Sequence, residues 1–340
     1  MSICVDCHAH FLPDAFMDAM KQRGFAEAHK SEGYINVSDA LTGYSRSHVR
    51  LPIFSQLWDI DERTALAEQQ RIDRQIICLP PFYFGYKPDA KTGLEICRTG
   101  NDAIAATIAK SPERFAGFAT VPLQSPKEAV AELRRAVEEL GFWGVEIGTS
   151  VAGAPMDDPS LDVFWEACCE LDAPIFVHPQ HELALDRTAE WYLHNLYGNP
   201  SETALMVARL IFAGVFERFP KLNMILAHGG GTIPYIIGRL DHGYRVRPET
   251  KTIPKPPSAY LKHLYFDIIT HDDDMLAYLV GRVGWRRVVV GTDRPFDMGV
   301  DDPREVVARI PGLSALEREA IVGDNARSFL SRSPHYAEAP

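Results

Sequence analysis

Val5-Asp6-Cys7-His8-Ala9-His10-Phe11 is the stretch on which the fold turns. It reads as a short strand carrying two imidazoles. In a strand, residues i and i+2 face the same side. His8 and His10 can therefore converge on one ion, and neutral imidazole is a common metal ligand. The weight of such a pair depends on what stands at the ends of later strands.

Those strands come in alternation with helices. Asp61 to Arg71 reads as a helix and Gln75 to Leu79 as a fully apolar strand. A helix over Leu94 to Ala109 precedes a strand over Arg114 to Val121. Ser125 to Leu140 reads as a helix with Ser125 at the N-cap and Glu128 at the capping-box position. Strands follow over Phe142 to Ile147, Pro174 to Pro179, Leu222 to His228, Leu264 to Ile269 and Arg287 to Asp293. The helices between and after them are Leu161 to Leu171, Ser201 to Phe219, Thr232 to Tyr244, Asp273 to Val283, Pro303 to Arg309 and Ser314 to Leu330.

With the first, that makes eight strands, and near-continuous apolar strands need both faces covered. The pattern predicts an α/β protein with a (β/α)8 TIM barrel and an insertion after strand 1. A doubly wound open sheet would want a Gly-rich phosphate turn after strand 1, and His8-Ala9-His10-Phe11 is not one. No composition shift divides the chain, so residues 1–330 read as one domain. The insertion, 13–58, looks irregular and polar and carries Arg46, His48 and Arg50 as possible anion contacts. The tail, 331–340, is polar and expected to be mobile.

Composition narrows the partners. The 340 residues carry 35 basic and 46 acidic side chains, a net charge of −11. That disfavours nucleic acid and anionic membrane as default partners. No apolar run approaches the roughly 20 residues of a membrane span. The N-terminus lacks a basic segment followed by an apolar core, so no secretory leader is expected. Six scattered cysteines predict reduced, buried thiols in a cytoplasmic protein. Cys4-x-x-Cys7 has no second cysteine pair to complete a zinc site.

In a barrel of this kind the chemistry sits at the C-terminal ends of the strands. The ionisable residues there are His8, His10, His178, His228 and Asp293. A nitrogen-rich set with one carboxylate suits Zn²⁺, with Mn²⁺, Fe²⁺ or Co²⁺ as alternatives.

The chain resembles the amidohydrolase superfamily, and within it the branch of 2-amino-3-carboxymuconate-6-semialdehyde decarboxylase and the aromatic-acid decarboxylases. The resemblance covers nearly the whole chain. It rests on Asp6-Cys7-His8-Ala9-His10-Phe11-Leu12-Pro13, Leu57-Trp58-Asp59, Phe84-Gly85-Tyr86, Val121-Pro122-Leu123-Gln124, Val177-His178-Pro179, Ala227-His228-Gly229-Gly230-Gly231, Gly238-Arg239-Leu240-Asp241 and Gly291-Thr292-Asp293-Arg294-Pro295-Phe296.

By that resemblance His8, His10, His178 and Asp293 hold one divalent ion per subunit, with a water completing its shell. His228 stands beside that water as a proton-transfer group, and Asp293 shares in the proton chemistry. The lysine that ends strand 4 in binuclear relatives is absent; Glu146-Ile147-Gly148 stands there, which implies one ion. Arg239 matches an arginine that reaches the neighbouring subunit's site, which implies a homodimer. Trp191 and Phe296 match pocket aromatics. The family's insertion arginine falls by offset on Leu51, with Arg50 one step earlier as the candidate contact. Arg294 follows the metal aspartate where close relatives have Tyr, an extra cation for an anionic substrate.

The implied reaction is non-oxidative decarboxylation of a small unsaturated, aromatic or heteroaromatic hydroxylated acid. The same ligands also permit hydrolysis of a C–N or lactone bond by metal-bound hydroxide. A non-catalytic metal-binding or assembly protein is the third class, and it would require a broken ligand set.

Overall fold

A computed structural model of the chain describes residues 3–42, 49–180, 187–331, 333 and 336, with the backbone alone for residues 49 and 50. In chain order its strands are β1 Val5–His10, β2 Ala26–His29, β3 Tyr34–Val37, β4 Val49–Pro52, β5 Arg74–Cys78, β6 Phe115–Thr120, β7 Gly144–Ile147, β8 Ser150–Val151, β9 Ala154–Pro155, β10 Ile175–Val177, β11 Met224–Leu226, β12 Leu264–Asp267 and β13 Val288–Val289.

Eight of these form one sheet, in the order β1-β5-β6-β7-β10-β11-β12-β13. Every pairing in it is parallel. Spatial order follows chain order, as a singly wound (β/α)8 barrel requires. Hydrogen bonds between β1 and the stretch after β13 bring the sheet round on itself. Cys7 N–H donates to Val290 O at 3.0 Å and His10 N–H to Arg294 O at 3.1 Å, while Asp293 N–H donates to His8 O at 2.8 Å. All six residues of β1 and all six of β6 are buried, as strands covered on both faces must be.

The helices lie close to their expected places. Asp273–Val283 and Pro303–Arg309 have the expected bounds. Asp59 caps the helix Ile60–Gln69, accepting from the backbone N–H groups of Asp61 and Glu62. Two details differ. Ser125 occupies the N-cap of Pro126–Glu138 but makes no side-chain capping bond; Pro126, with its preset φ, provides the start signal instead. The helix expected from Ser201 to Phe219 spans Asn199–Phe212, and a separate turn, Val215–Arg218, follows Gly214 at φ 70°.

The insertion is ordered where it is described, which corrects the irregular reading. The helix Asp14–Gln22 buries Phe16, Met17 and Met20. Strands β2, β3 and β4 form an antiparallel sheet, with Ile35 opposite Leu51. Ile35, Val37, Leu41, Ile53 and Leu57 are buried, and Phe16 packs edge-on to Tyr83 at 4.9 Å. Elements of four residues leave no sustained period, and their core is completed by the barrel. Arg46 and His48 lie outside the described residues. Of the tail, Ser333 is buried, and Tyr336 meets Trp143 at 5.0 Å. No helix among the described residues is long and apolar enough to cross a membrane.

Candidate metal centre

Strand β1 ends in His8 and His10, and the residues that follow β10, β11 and β13 supply His178, His228 and Asp293. One ligand-type atom from each of His8, His10, His178 and Asp293 lies within 4.8 Å of the others, and all four residues are buried. Asp293 Oδ1 stands 3.3 Å from Nε2 of both His8 and His10. Yet Nε2 of His8, His10 and His178, and Asp293 Oδ1, all lack a hydrogen-bond partner among the described residues.

The tautomers explain why. His8 Nδ1 lies 2.8 Å from Asp267 Oδ2, and an ionised carboxylate only accepts. His178 Nδ1 lies 2.9 Å from the carbonyl of Pro179, which also only accepts. Both rings therefore carry a proton on Nδ1 and turn the Nε2 lone pair inward. Electron pairs converging in a buried space ask for a cation between them. This donor set fits a divalent ion, with His8, His10, His178 and Asp293 as the residues that would hold it.

The electrostatics agree. Burial opposes charge on His8, but the carboxylates of Asp293 and Asp267 outweigh it and hold the imidazole up at about 10, so that without an ion a proton takes the place an ion would fill at Nε2. Burial pushes the pKa of His10 and His178 down. Burial also opposes charge on Asp293, yet His8, His10 and His228 hold its carboxyl well below the usual range. The centre favours a positive charge at its middle.

Asp267 is the residue that sequence reasoning missed. Its Oδ2 accepts from His8 Nδ1 and from His228 N–H at 3.0 Å; its Oδ1 accepts from Gly229 N–H at 2.7 Å and Ile269 N–H at 3.0 Å. One carboxylate thus aims a ligand and pins the loop of His228. Gly291 makes room for this contact, since a Cβ there would lie 2.8 Å from the Cβ atoms of both Asp267 and His8. A second buried group clamps β1 to the chain after β13. Asp6 accepts from His8 N–H (3.1 Å), Thr292 N–H (2.9 Å), Thr292 Oγ1 (2.6 Å) and Gln75 Nε2 (2.9 Å). Fully buried Arg63 continues the chain, donating to Gln75 Oε1 and to Arg294 O at 2.9 Å each.

His228 stands beside the four-residue cluster, with Nε2 3.5 Å from Asp293 Oδ2. Both residues have left-handed backbone, φ 56° and 55°. For non-glycine residues that conformation is uncommon and gathers at functional sites. A cavity opens above them, walled by Leu51, Pro52, Pro81, Phe82, Tyr192 and Phe296, with the amides of Asn195 and Asn199 and the carboxylate of Asp297.

The expected substrate contacts divide. Phe296 lines this cavity and lies 5.6 Å from the His10 ring. Trp191 is 79% exposed and faces outward, and Tyr192 takes its place on the wall. Arg294 turns away from the cavity, with Nη2 3.1 Å from Asp301. Arg239 is exposed on the helix Ile233–Val246 and does not line its own chain's cavity. Leu51 itself faces the cavity; Arg50 lies on β4, and its side chain is outside the described residues. Periodicity could not reveal Tyr192, Asn195 or Asn199, because they lie before, within and just after a single π-helical turn, His194–Gly198, that leads into the helix Asn199–Phe212.

Comparison with known proteins closes the question of family. The chain is 33% identical over 340 residues to 2-amino-3-carboxymuconate-6-semialdehyde decarboxylase of Dictyostelium discoideum, covering 98% of this chain and 93% of that protein. Among solved structures, Metarhizium anisopliae IDCase in its apo form superposes with a TM-score of 0.84 at 26% identity, covering 98% of each chain. Dihydroxybenzoic acid decarboxylase from Polaromonas sp. JS666, solved with manganese and the inhibitor 2-nitroresorcinol, superposes with a TM-score of 0.79 at 27% identity over 97% of each chain. The family model described as amidohydrolase matches residues 5–332, and the chain belongs to that family.

Proposed function

We propose that this protein is a metal-dependent, non-oxidative decarboxylase of a small hydroxylated aromatic, heteroaromatic or unsaturated acid. The observation that carries this reading is the convergence of three unpartnered imidazole nitrogens and an aspartate oxygen beneath an aromatic-walled cavity.

Phe82, Phe296 and Tyr192 offer flat apolar faces that suit a ring, and Asn195 and Asn199 offer amide donors for its hydroxyl or carboxyl oxygens. A divalent ion bound by His8, His10, His178 and Asp293 supplies electron withdrawal and positive charge beside the charge that develops on the ring. In the reaction the ring carbon gains a proton as its bond to the carboxylate breaks and CO₂ leaves. His228 is placed to hand over that proton from Nε2, with Asp293 Oδ2 next to it to steady the charged imidazole.

Three finer points belong to the same proposal. Zn²⁺ suits three imidazoles and one carboxylate, and Mn²⁺ is the alternative. A homodimer is supported by exposed Trp191, Leu196, Tyr197, Tyr235, Met275 and Tyr278, a set of large apolar side chains of the kind that marks interaction surfaces; Arg239 then serves the partner's cavity. The buried thiols of Cys4, Cys7, Cys78, Cys97 and Cys168 support a reducing, cytoplasmic setting.

The test is a panel of hydroxylated benzoates, pyridine carboxylates and muconate semialdehydes, followed by CO₂ release with metal content measured alongside. Release of CO₂ from at least one acid, abolished by chelation and restored by Zn²⁺ or Mn²⁺, is expected. Cleavage of an amide or lactone without CO₂ would overturn the reading in favour of hydrolysis.

A further inference from the structure

Glu146 lies in β7, fully buried, and among the described residues neither of its carboxyl oxygens has a hydrogen-bond partner of normal geometry. Burial pushes its pKa up to about 8. An unsatisfied buried carboxyl costs stability and asks for a reason. Its surroundings supply one. Glu146, Cys78 and His10 each place one ligand-type atom within 4.8 Å of the other two.

His10 is the odd member of the metal cluster. His8 and His178 each have an oxygen at Nδ1. Among the described residues, the polar contact of His10 Nδ1 is the Cys78 sulfur, at 3.6 Å, and a thiol is a weak acceptor. Histidines that bind metals usually give their outer N–H to a carboxylate, carbonyl or water. The Cys78 thiol also donates to Ala9 O at 3.4 Å, so it sits between the ring, the backbone and the Glu146 carboxyl.

We propose that Glu146, working with Cys78, is the positioning residue for His10. His10 Nδ1–H donates to Cys78 Sγ, the thiol S–H is shared between Ala9 O and a Glu146 oxygen, and the ring is thereby held with Nε2 facing the ion. The inference rests on His10 being a metal ligand. It explains why a carboxyl that an apolar side chain could replace is kept in the barrel interior.

The test uses the full chain, stripped of metal and reloaded with Co²⁺. The Co²⁺ dissociation constant is measured by chelator competition, the visible Co²⁺ absorption band is recorded, and the melting midpoint is taken for the metal-free form. Glu146→Leu is expected to weaken Co²⁺ binding about 10- to 100-fold and shift the band, while the metal-free midpoint holds or rises. Glu146→Gln, which keeps an acceptor oxygen, recovers most of the affinity and the parental band. A merely structural role would lower the metal-free midpoint and leave the band in place. If Glu146→Leu does not fold, Cys78→Ala carries the same expectation, since it breaks the link and keeps the carboxyl. Parental affinity and band position in the folded variant overturn the proposal. A parent chain that binds no Co²⁺ overturns the four-ligand reading beneath it, and the two failures are therefore distinct.

Discussion

The two ends of the barrel use buried histidine in opposite ways. At the N-terminal end, His263 precedes β12, is buried, bonds through Nδ1 to Leu222 O at 3.0 Å and stacks on Phe216 at 5.0 Å. Its polar need is met and its ring serves as packing. At the C-terminal end, His8, His10 and His178 are equally buried, but each leaves Nε2 without a partner. Burial alone does not separate a structural imidazole from a functional one; the unspent nitrogen does.

Asp293→Ala attacks the functional end most directly. It removes the oxygen that faces both His8 and His10, and the expected result is a folded chain with no stoichiometric divalent ion by elemental analysis and no turnover. Full metal occupancy in that variant would mean the ion sits elsewhere.

His228→Ala should keep the ion, because His228 stands outside the four-residue cluster. Turnover should fall by about 10²- to 10⁴-fold, the usual worth of a positioned proton-transfer group. Loss of the metal instead would make His228 a ligand.

Asp267→Ala should cost less, on the order of 10- to 100-fold in metal affinity, because it loosens His8 without removing a ligand. Isothermal titration of the stripped protein checks this. An unchanged affinity would show that the barrel wall alone orients His8.

The smallest effect belongs to the structural end. Burial lowers the pKa of His263 below its ordinary 6.5. The unfolded chain then binds a proton that the folded ring refuses, so its contribution to stability is present above about pH 6.5 and is lost as pH falls below that value. His263→Phe should flatten the acid limb of a melting-midpoint profile and leave metal content and turnover unchanged. A change in turnover would mean the two ends are coupled.

Much of the functional end was legible in the sequence. Strands such as Gln75-Ile76-Ile77-Cys78-Leu79 are short, apolar and bounded, and a barrel presents its chemistry where such strands end. His178 directly follows the last paired residue of β10, and Asp293 lies four residues beyond that of β13. Asp267 was hidden because it sits inside an apolar run, Leu264 to Ile269, and its meaning depends on His8, 259 residues away. Glu146 was hidden in the same manner. Arg294 misled, since a cation next to a metal aspartate suggests a substrate contact, whereas the chain turns there and the side chain meets Asp301. The insertion was illegible because its short strands borrow their core from the barrel.

The clamp at Asp6 joins residues 286 positions apart, Asp6 and Thr292. A ribosome makes His8 and His10 long before it makes Asp293. The nascent chain therefore carries the histidine pair through the making of the other seven barrel strands before the carboxylate that completes the centre emerges. No fragment that stops short of Asp293 can assemble the four ligands, so acquisition of the ion reports that all eight barrel strands have been made.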